Sequence, residues 1–368
     1  MNSFEHIYVH IPFCDVICHY CDFYTARTKE AQFEDFFSAL NTESQWQKSE
    51  RASHLKALYM GGGTPSTSPL DLLESFLRSF GEAINDSTEV TLEANPNHLT
   101  MENLKAWKDM GINRLSLGIQ SLEDSTLKRL GRTHTGTEAL QAIERAAKVF
   151  SNLSCDLIYG VPGQSTVRPA QDAITILRAG AHHISAYHLT LEPQHFLFAR
   201  LPTDEQAKEQ ITKIVETCAG HALEHYEMSN LGSERIFSKN NLNYWSGGSY
   251  GALGPSAHGF DGRRKRWRNL PDWKAYGAAI SRGEKPLELE ETLTDEQRRI
   301  ETLFTGLRTK FGISLSKYER DFGHPFLERN KNEIDRLLES GLALLDGDHF
   351  KLTFEGRLLT DEVVKRLL

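Results

Sequence analysis

"HIPFCDVICHYCDF", residues 10–23, gathers three of the chain's five cysteines within eight positions. It continues "HIYVHI" (6–11), a β-branched and aromatic run without a breaker, ended by Pro12, which reads as a buried strand. The spacing is C-x3-C-x2-C, through Cys14, Cys18 and Cys21. Thiolates are soft ligands that suit zinc or iron–sulfur clusters. Structural zinc takes four protein ligands, usually from paired C-x2-C knuckles. A fourth ligand here would have to be His10 or His19, and no second knuckle exists. Three thiolates on one loop can instead hold three irons of a [4Fe–4S] cluster and leave the fourth iron open.

Further along the chain, "LKALYM" (55–60), "STEVTLEA" (87–94), "NRLSLGIQ" (113–120), "LSCDLIYG" (153–160) and "HHISAYHL" (182–189) read as strands. Helical periodicity fills 30–48, 69–80, 100–109, 122–130, 136–150 and 166–179. Such alternation predicts an α/β fold of parallel strands joined by right-handed crossovers. A closed eight-unit barrel needs about 250 residues, so six units predict a partial barrel or an open sheet. In both, ligands bind at the carboxyl ends of the strands. The cysteines follow strand one, Gly61-Gly62-Gly63 follows strand two, Glu93 and Gln120 end strands three and four, and Asp156 lies on strand five. That placement makes them one candidate site.

From about residue 203 the pattern changes to a helix (203–222), a short strand near 224–228, a Gly- and aromatic-rich stretch, and "RRKRWR" (263–268). Helices from 294 onward lead into "LALLDGDHFKLTFEG", a hairpin with Gly347 in its turn. The predicted modules are 1–200, a partial barrel; 201–290, an α+β extension; and 291–368, a winged-helix-like module. From Thr292 onward there are 13 basic and 14 acidic residues, which offers nucleic acid no basic footprint. The net charge of -8 over 368 residues also disfavours nucleic acid and anionic membranes as general partners. No apolar stretch is long enough for a membrane span, and "MNSFEHIYVH" lacks the pattern of a signal peptide. An odd cysteine count with Cys155 and Cys218 isolated argues against a disulfide framework and for a reducing, cytoplasmic setting, with both as buried thiols.

The C-x3-C-x-aromatic-C loop after strand one resembles the radical S-adenosylmethionine (SAM) superfamily. "YMGGGTPS", "TLEANP", "SLGIQS", "LGRTHT" and "DLIYGVPGQ" match that family's further motifs in order. The resemblance spans nearly the whole chain and implies a partial (β/α)6 barrel. It is closest to oxygen-independent coproporphyrinogen dehydrogenases and HemW-type haem chaperones. By resemblance, Cys14, Cys18 and Cys21 ligate a [4Fe–4S] cluster. Tyr8 and Tyr20 pack on SAM, Tyr20 against the adenine, while Gly62, Gly63 and Thr64 receive its amino-acid end. Glu93, Gln120, Arg132 and Asp156 match the remaining polar SAM contacts. A reduced cluster in this family cleaves the sulfonium C–S bond to give a 5′-deoxyadenosyl radical.

Two departures separate the branches. The dehydrogenases carry a fourth cysteine where this chain has Phe23, and a longer amino-terminal extension before strand one. Both point to the HemW branch, and so to haem or another tetrapyrrole as ligand, with a haem-accepting protein and an electron donor as partners. The alternatives are coproporphyrinogen III oxidative decarboxylation, or radical SAM chemistry on another substrate. The HemW His-Asn-x-x-Tyr-Trp motif reads "NNLNYW" (240–245) here, with Asn240 at the histidine position. An amide is a poor iron ligand, so His134, His182, His183, His188 and His258 become substitutes to weigh against structural roles. The "RRKRWR" arginines offer a propionate clamp; a solvated hairpin face is the simpler reading.

Overall fold

Along the first strand, β1 (His6–Ile11), Ile7, Val9 and Ile11 join the main hydrophobic core, and strand alternation turns His6, Tyr8 and His10 to the opposite face. The computed structural model, which describes residues 3–368, repeats this division in five further strands. These are β2 (Ala57–Gly62), β3 (Glu89–Ala94), β4 (Arg114–Gln120), β5 (Leu153–Tyr159) and β6 (His183–His188), paired in parallel in chain order. Their core faces supply Leu58, Met60, Val90, Leu92, Leu115, Leu117, Leu157, Ile184 and Ala186. Cys155 and Cys218 are buried in that same core, as expected of unpaired thiols. The inner faces are polar, with Glu89, Thr91, Arg114, Ser116, Ser154, His183 and Ser185 all buried.

Segment 201–290 adds strands to both edges of this sheet. β7 (Glu224–His225) and β8 (Asn230–Gly232) extend it antiparallel beyond β6. β9 (Gly251–Leu253) runs parallel beside β1. The result is an open nine-stranded sheet, β9-β1-β2-β3-β4-β5-β6-β8-β7, and the six-unit partial barrel holds as predicted. Element ends differ from the sequence reading by a few residues. The second strand runs on through Gly62 rather than stopping before the glycines, because its ladder to β1 continues to Ile11–Gly62. "NNLNYW" belongs to a short helix, Lys239–Trp245, capped by the Ser238 side chain.

The basic run forms strand Lys265–Asn269, between His258–Phe260 and Leu287–Thr292. Acids on the neighbouring elements answer it: Lys265–Glu290 at 2.9 Å, Arg268–Glu288 at 2.6 Å, and Arg266 to both Glu291 and Glu301 at 2.5 Å. The solvated-face reading therefore stands. Residues 295–367 surround a second core that includes Leu303, Tyr318, Phe326, Phe350 and Leu367. Helices Asp295–Gly306, Leu315–Phe322 and Lys331–Glu339, the short strand Ile313–Ser314, and the hairpin Ala343–Asp346/His349–Leu352 give the winged-helix-like order. No helix among the described residues is long and apolar enough to cross a membrane.

Glu43, on helix Phe33–Trp46, ties the barrel to the three-stranded sheet. Its buried carboxylate accepts from Gly254 N at 2.8 Å, Asn269 Nδ2 at 2.7 Å and Tyr276 OH at 2.7 Å. Burial nevertheless pushes its pKa from 4.5 up to about 7. The native state thus holds a proton that the unfolded chain releases, and stability falls as pH rises from 4.5 through 7. A shift of that size corresponds to about 3 kcal/mol. Melting temperatures of wild type and Glu43→Gln between pH 5 and 8 check this. Wild type should lose stability relative to the variant as pH rises, and parallel curves would contradict the assignment.

Candidate functional site

The carboxyl ends of β1–β6 open into a cavity of about 370 Å³. Of the residues singled out in the sequence, Cys14, Cys18, Cys21, Tyr20, Gly62, Gly63, Thr64, Glu93, Gln120, Arg132 and Asp156 all line it. Tyr8 does not. It lies inside the barrel, stacked on Tyr59 with ring centroids 6.1 Å apart and its hydroxyl 3.3 Å from His10 Nδ1.

Backbone bonds build the cysteine loop onto the glycine turn. Gly63 N donates to Ile11 O and Thr64 N to Phe13 O, each at 2.9 Å. Gly62 has φ +107, and a Cβ there would fall 2.5 Å from the His10 ring. Phe13–Cys14 also pairs with Ala26–Arg27 in a short parallel ladder, closing the loop's base.

Two donors address sulfur: Thr64 Oγ1 to Cys14 Sγ at 3.3 Å and Arg132 Nη1 to Cys18 Sγ at 3.5 Å. Asn95 connects them. Its Oδ1 accepts from Arg132 Nη2 at 2.6 Å, and its Nδ2 donates to Thr64 Oγ1 at 3.3 Å. A second brace runs from Asp15 Oδ2 to His98 Nε2, 2.8 Å, and from His98 Nδ1 to Ser66 Oγ, 2.8 Å. It fastens the residue after Cys14 to the glycine turn. Sequence reading missed both Asn95 and His98. Asn95 was legible only as a strand stop before Pro96, although its place at a strand's carboxyl end was a usable signal.

The carboxylates sit deeper. Glu93 accepts from Tyr59 OH at 2.8 Å and Gly62 N at 3.2 Å, and burial, reinforced by Asp156, pushes it up to about 7. Asp156 accepts from Ser116 Oγ at 3.2 Å, and burial pushes it up to about 6 against the pull of Ser185 and Arg114. Burial pushes Cys14 up to about 11, opposed by the Thr64 hydroxyl. Gln120 holds φ 68, which for a non-glycine costs of order 1 kcal/mol, and its buried Oε1 has no partner. Arg132 Nε is likewise unpartnered. Both residues line the cavity, and these two buried polar atoms are left without a protein partner.

Among the described residues no three Cys, His, Asp or Glu side chains gather on a point suited to a single ion. The thiols instead are spread along the wall of a cavity that has room beyond them. Three soft donors with sulfur-directed hydrogen bonds fit a cuboidal cluster held at three corners.

Two of the five histidines considered as iron ligands are structural. His183 is fully buried between Ser154 Oγ and Tyr226 OH, both at 2.8 Å, and His134 bonds Ile119 O at 3.1 Å. His182 and His258 are exposed away from the cavity wall, whereas His188 lies on it. Asn240 is buried, 1% exposed, with its Oδ1 unpartnered. Asn241, Tyr244 and Trp245 line a neighbouring cavity of about 450 Å³ together with Arg266 and Arg298. Tyr187 borders both cavities.

The radical SAM superfamily model matches residues 8–169, and the HemN C-terminal domain model matches 293–359. Heme chaperone HemW of Bacillus subtilis is 32% identical over 97% of this chain and 97% of its own length. Heme chaperone HemW of Lactococcus lactis is 33% identical over 98% of this chain and 96% of its own. The mitochondrial radical S-adenosyl methionine domain-containing protein 1 of Bos taurus is 31% identical over 98% and 87%. Coproporphyrinogen III oxidase (HemN) from Escherichia coli shares the fold, with a TM-score of 0.84 at 19% identity over all of this chain and 90% of that one. Radical SAM membership implies a [4Fe–4S] cluster and SAM, matching the donors collected in the cavity. Similar to these relatives over nearly its full length and matching both domain models, the chain belongs to the HemW family of radical SAM proteins.

Proposed function

We propose that the protein is a haem chaperone: it holds a [4Fe–4S] cluster on Cys14, Cys18 and Cys21, binds SAM beside it, and carries haem or a related tetrapyrrole to haem-accepting proteins. The convergence of the three thiols with Gly62, Gly63, Thr64, Glu93 and Asp156 on one cavity carries the cofactor part of this reading. When bound, a reduced cluster would supply an electron to the SAM sulfonium. The chain's own contribution is positional. Gly62 and Gly63 let backbone approach the amino-acid end closely, and the Glu93 and Asp156 oxygens accept from an ammonium or from ribose hydroxyls. Thr64 and Arg132 direct hydrogen bonds at sulfur, the lever that tunes a cluster's potential.

The haem part draws on the names of the full-length relatives and on Phe23, which stands 68% exposed at the cavity mouth. A fourth thiol at that place marks the dehydrogenases that this chain resembles. A cytoplasmic setting, an electron donor as partner, and a capping or partner-docking role for 291–368 complete the proposal. Parallel titrations of anaerobically reconstituted protein test it. Haem should bind at about one equivalent, and coproporphyrinogen with SAM and reductant should give no multiple-turnover product. Protoporphyrinogen accumulating over many turnovers would favour the dehydrogenase reading instead.

A further inference from the structure

We propose that His188 is the axial ligand to the iron of the carried haem, which places the cargo in the mouth of the cysteine cavity rather than at residue 240. The inference rests on the reading that haem is the cargo. Asn240 is an unsuitable place for iron in this fold: its side chain is buried and lines neither large cavity. His188 stands where an iron ligand is needed, at the carboxyl end of β6, on the wall of the cavity. It is the only histidine on that wall among the described residues.

The ring is held without using its nitrogens. It lies against Tyr159, centroids 5.2 Å apart and 32° between planes. Its Cδ2–Nε2 edge rests on Gly160, where a Cβ would come within 2.8 Å of Cδ2 and 2.9 Å of Nε2. Gly160 has φ +78, so the turn after β5 both requires glycine and clears space for the imidazole. Neither nitrogen of His188 takes part in a protein hydrogen bond, whereas His183 and His195 commit both of theirs and His134 commits Nε2. A ring fixed by packing, whose Nδ1 meets neither Gly160 nor a hydrogen-bond partner, is pre-oriented for a metal. Burial also lowers its pKa, which favours the neutral, ligating form.

The surroundings suit a porphyrin's apolar faces. Ile158 and Leu189 line the same wall as His188, both largely buried in it. From the cysteine loop, Val16, Ile17 and Phe23 add side chains 41%, 38% and 68% exposed. Such a cluster of exposed apolar side chains at a cavity mouth is costly to leave in water and marks a ligand or partner surface. Imidazole on iron with aromatic and aliphatic contacts to the macrocycle is the chemistry of a haem pocket.

The experiment titrates hemin into the full chain, reconstituted with its cluster, and records the absorption and electron paramagnetic resonance spectra. Wild type should show nitrogen-ligated haem. His188→Ala should lose that signature and bind at least about tenfold more weakly, with iron–sulfur content and melting temperature unchanged. Added imidazole should restore the spectrum, and His188→Cys should convert it to a thiolate type. Asn240→His should leave wild-type affinity and spectrum as they are. If wild type binds hemin tightly and His188→Ala keeps both affinity and spectrum, the assignment of His188 is overturned while the chaperone reading stands. If wild type binds no hemin, the chaperone reading itself fails, and this inference with it.

Discussion

Replacing Cys14, Cys18 and Cys21 together with alanine should leave a folded protein that binds neither iron nor sulfide after anaerobic reconstitution. Wild type should take up about four of each. The loss should be complete, because these three thiols are the soft donors that line the cavity. The remaining cysteines, Cys155 and Cys218, are buried in the main core on the far side of the sheet and cannot substitute without unfolding it. Folding should survive because Cys18 and Cys21 are only partly buried, and the loop is held by its backbone ladder to Ala26–Arg27 and by the Asp15–His98–Ser66 brace. Alanine at Cys14 removes one small buried side chain and the acceptor of the Thr64 hydroxyl, at a cost of about 1 kcal/mol. Iron and sulfide analysis beside circular dichroism reads the result. Cluster retained at wild-type stoichiometry, or zinc taken up tightly in its place by wild type, would sink the assignment.

The six strands were legible because each is a short run of regularly spaced apolar residues with a Gly, Pro or Asn near an end, and their alternation with helices predicts the parallel order. The candidate site was legible for the same reason: chemistry-bearing residues recur at strand carboxyl ends, where this fold puts ligands. Of the sheet's outer strands only β7 was legible, as the short strand near 224–228; β8 and β9 were not. β7, β8 and β9 are two or three residues long, and their pairing depends on tertiary contact rather than on local pattern. Within the site, Tyr8 shows the limit of carrying over a role by position. Its strand was read correctly, but alternation turns the side chain into the barrel below the cavity, against Tyr59 and His10. Asn95 shows the reverse limit. In sequence it only ends a strand, and in space its amide joins Arg132 to Thr64, and through them two of the three thiols. Nothing in one sequence reveals that both ends of an amide are committed.

Gly63→Ala should be the most damaging single methyl in the protein's active region. A Cβ at Gly63 would lie 2.5 Å from both the carbonyl carbon and the oxygen of Pro12, and 2.9 Å from Ile11 O. All three are backbone atoms at the root of the cysteine loop, so no side chain can swing aside to relieve the overlap. Relief requires the ends of β1 and β2 to part. That stretches the bonds from Gly63 N to Ile11 O and from Thr64 N to Phe13 O. Thr64 then moves off Cys14 Sγ, and the turn that would receive the SAM amino-acid end shifts with it. The expected result is a stability loss of about 2 kcal/mol or more, SAM binding weakened at least about tenfold, and a cluster that is lost faster in air. Gly277→Ala is the matched control. It lies in helix Trp273–Ser281 with no atom within 4 Å of the added Cβ. There alanine should stabilise the helix by up to about 1 kcal/mol and leave cluster and SAM binding unchanged. Melting temperature, iron content and SAM titration on both variants separate a local clash at the cysteine loop from a general intolerance of alanine for glycine. Gly63→Ala behaving like Gly277→Ala would mean that the loop and the glycine turn can part without consequence, and the coupling between cluster and SAM sites described above would be wrong.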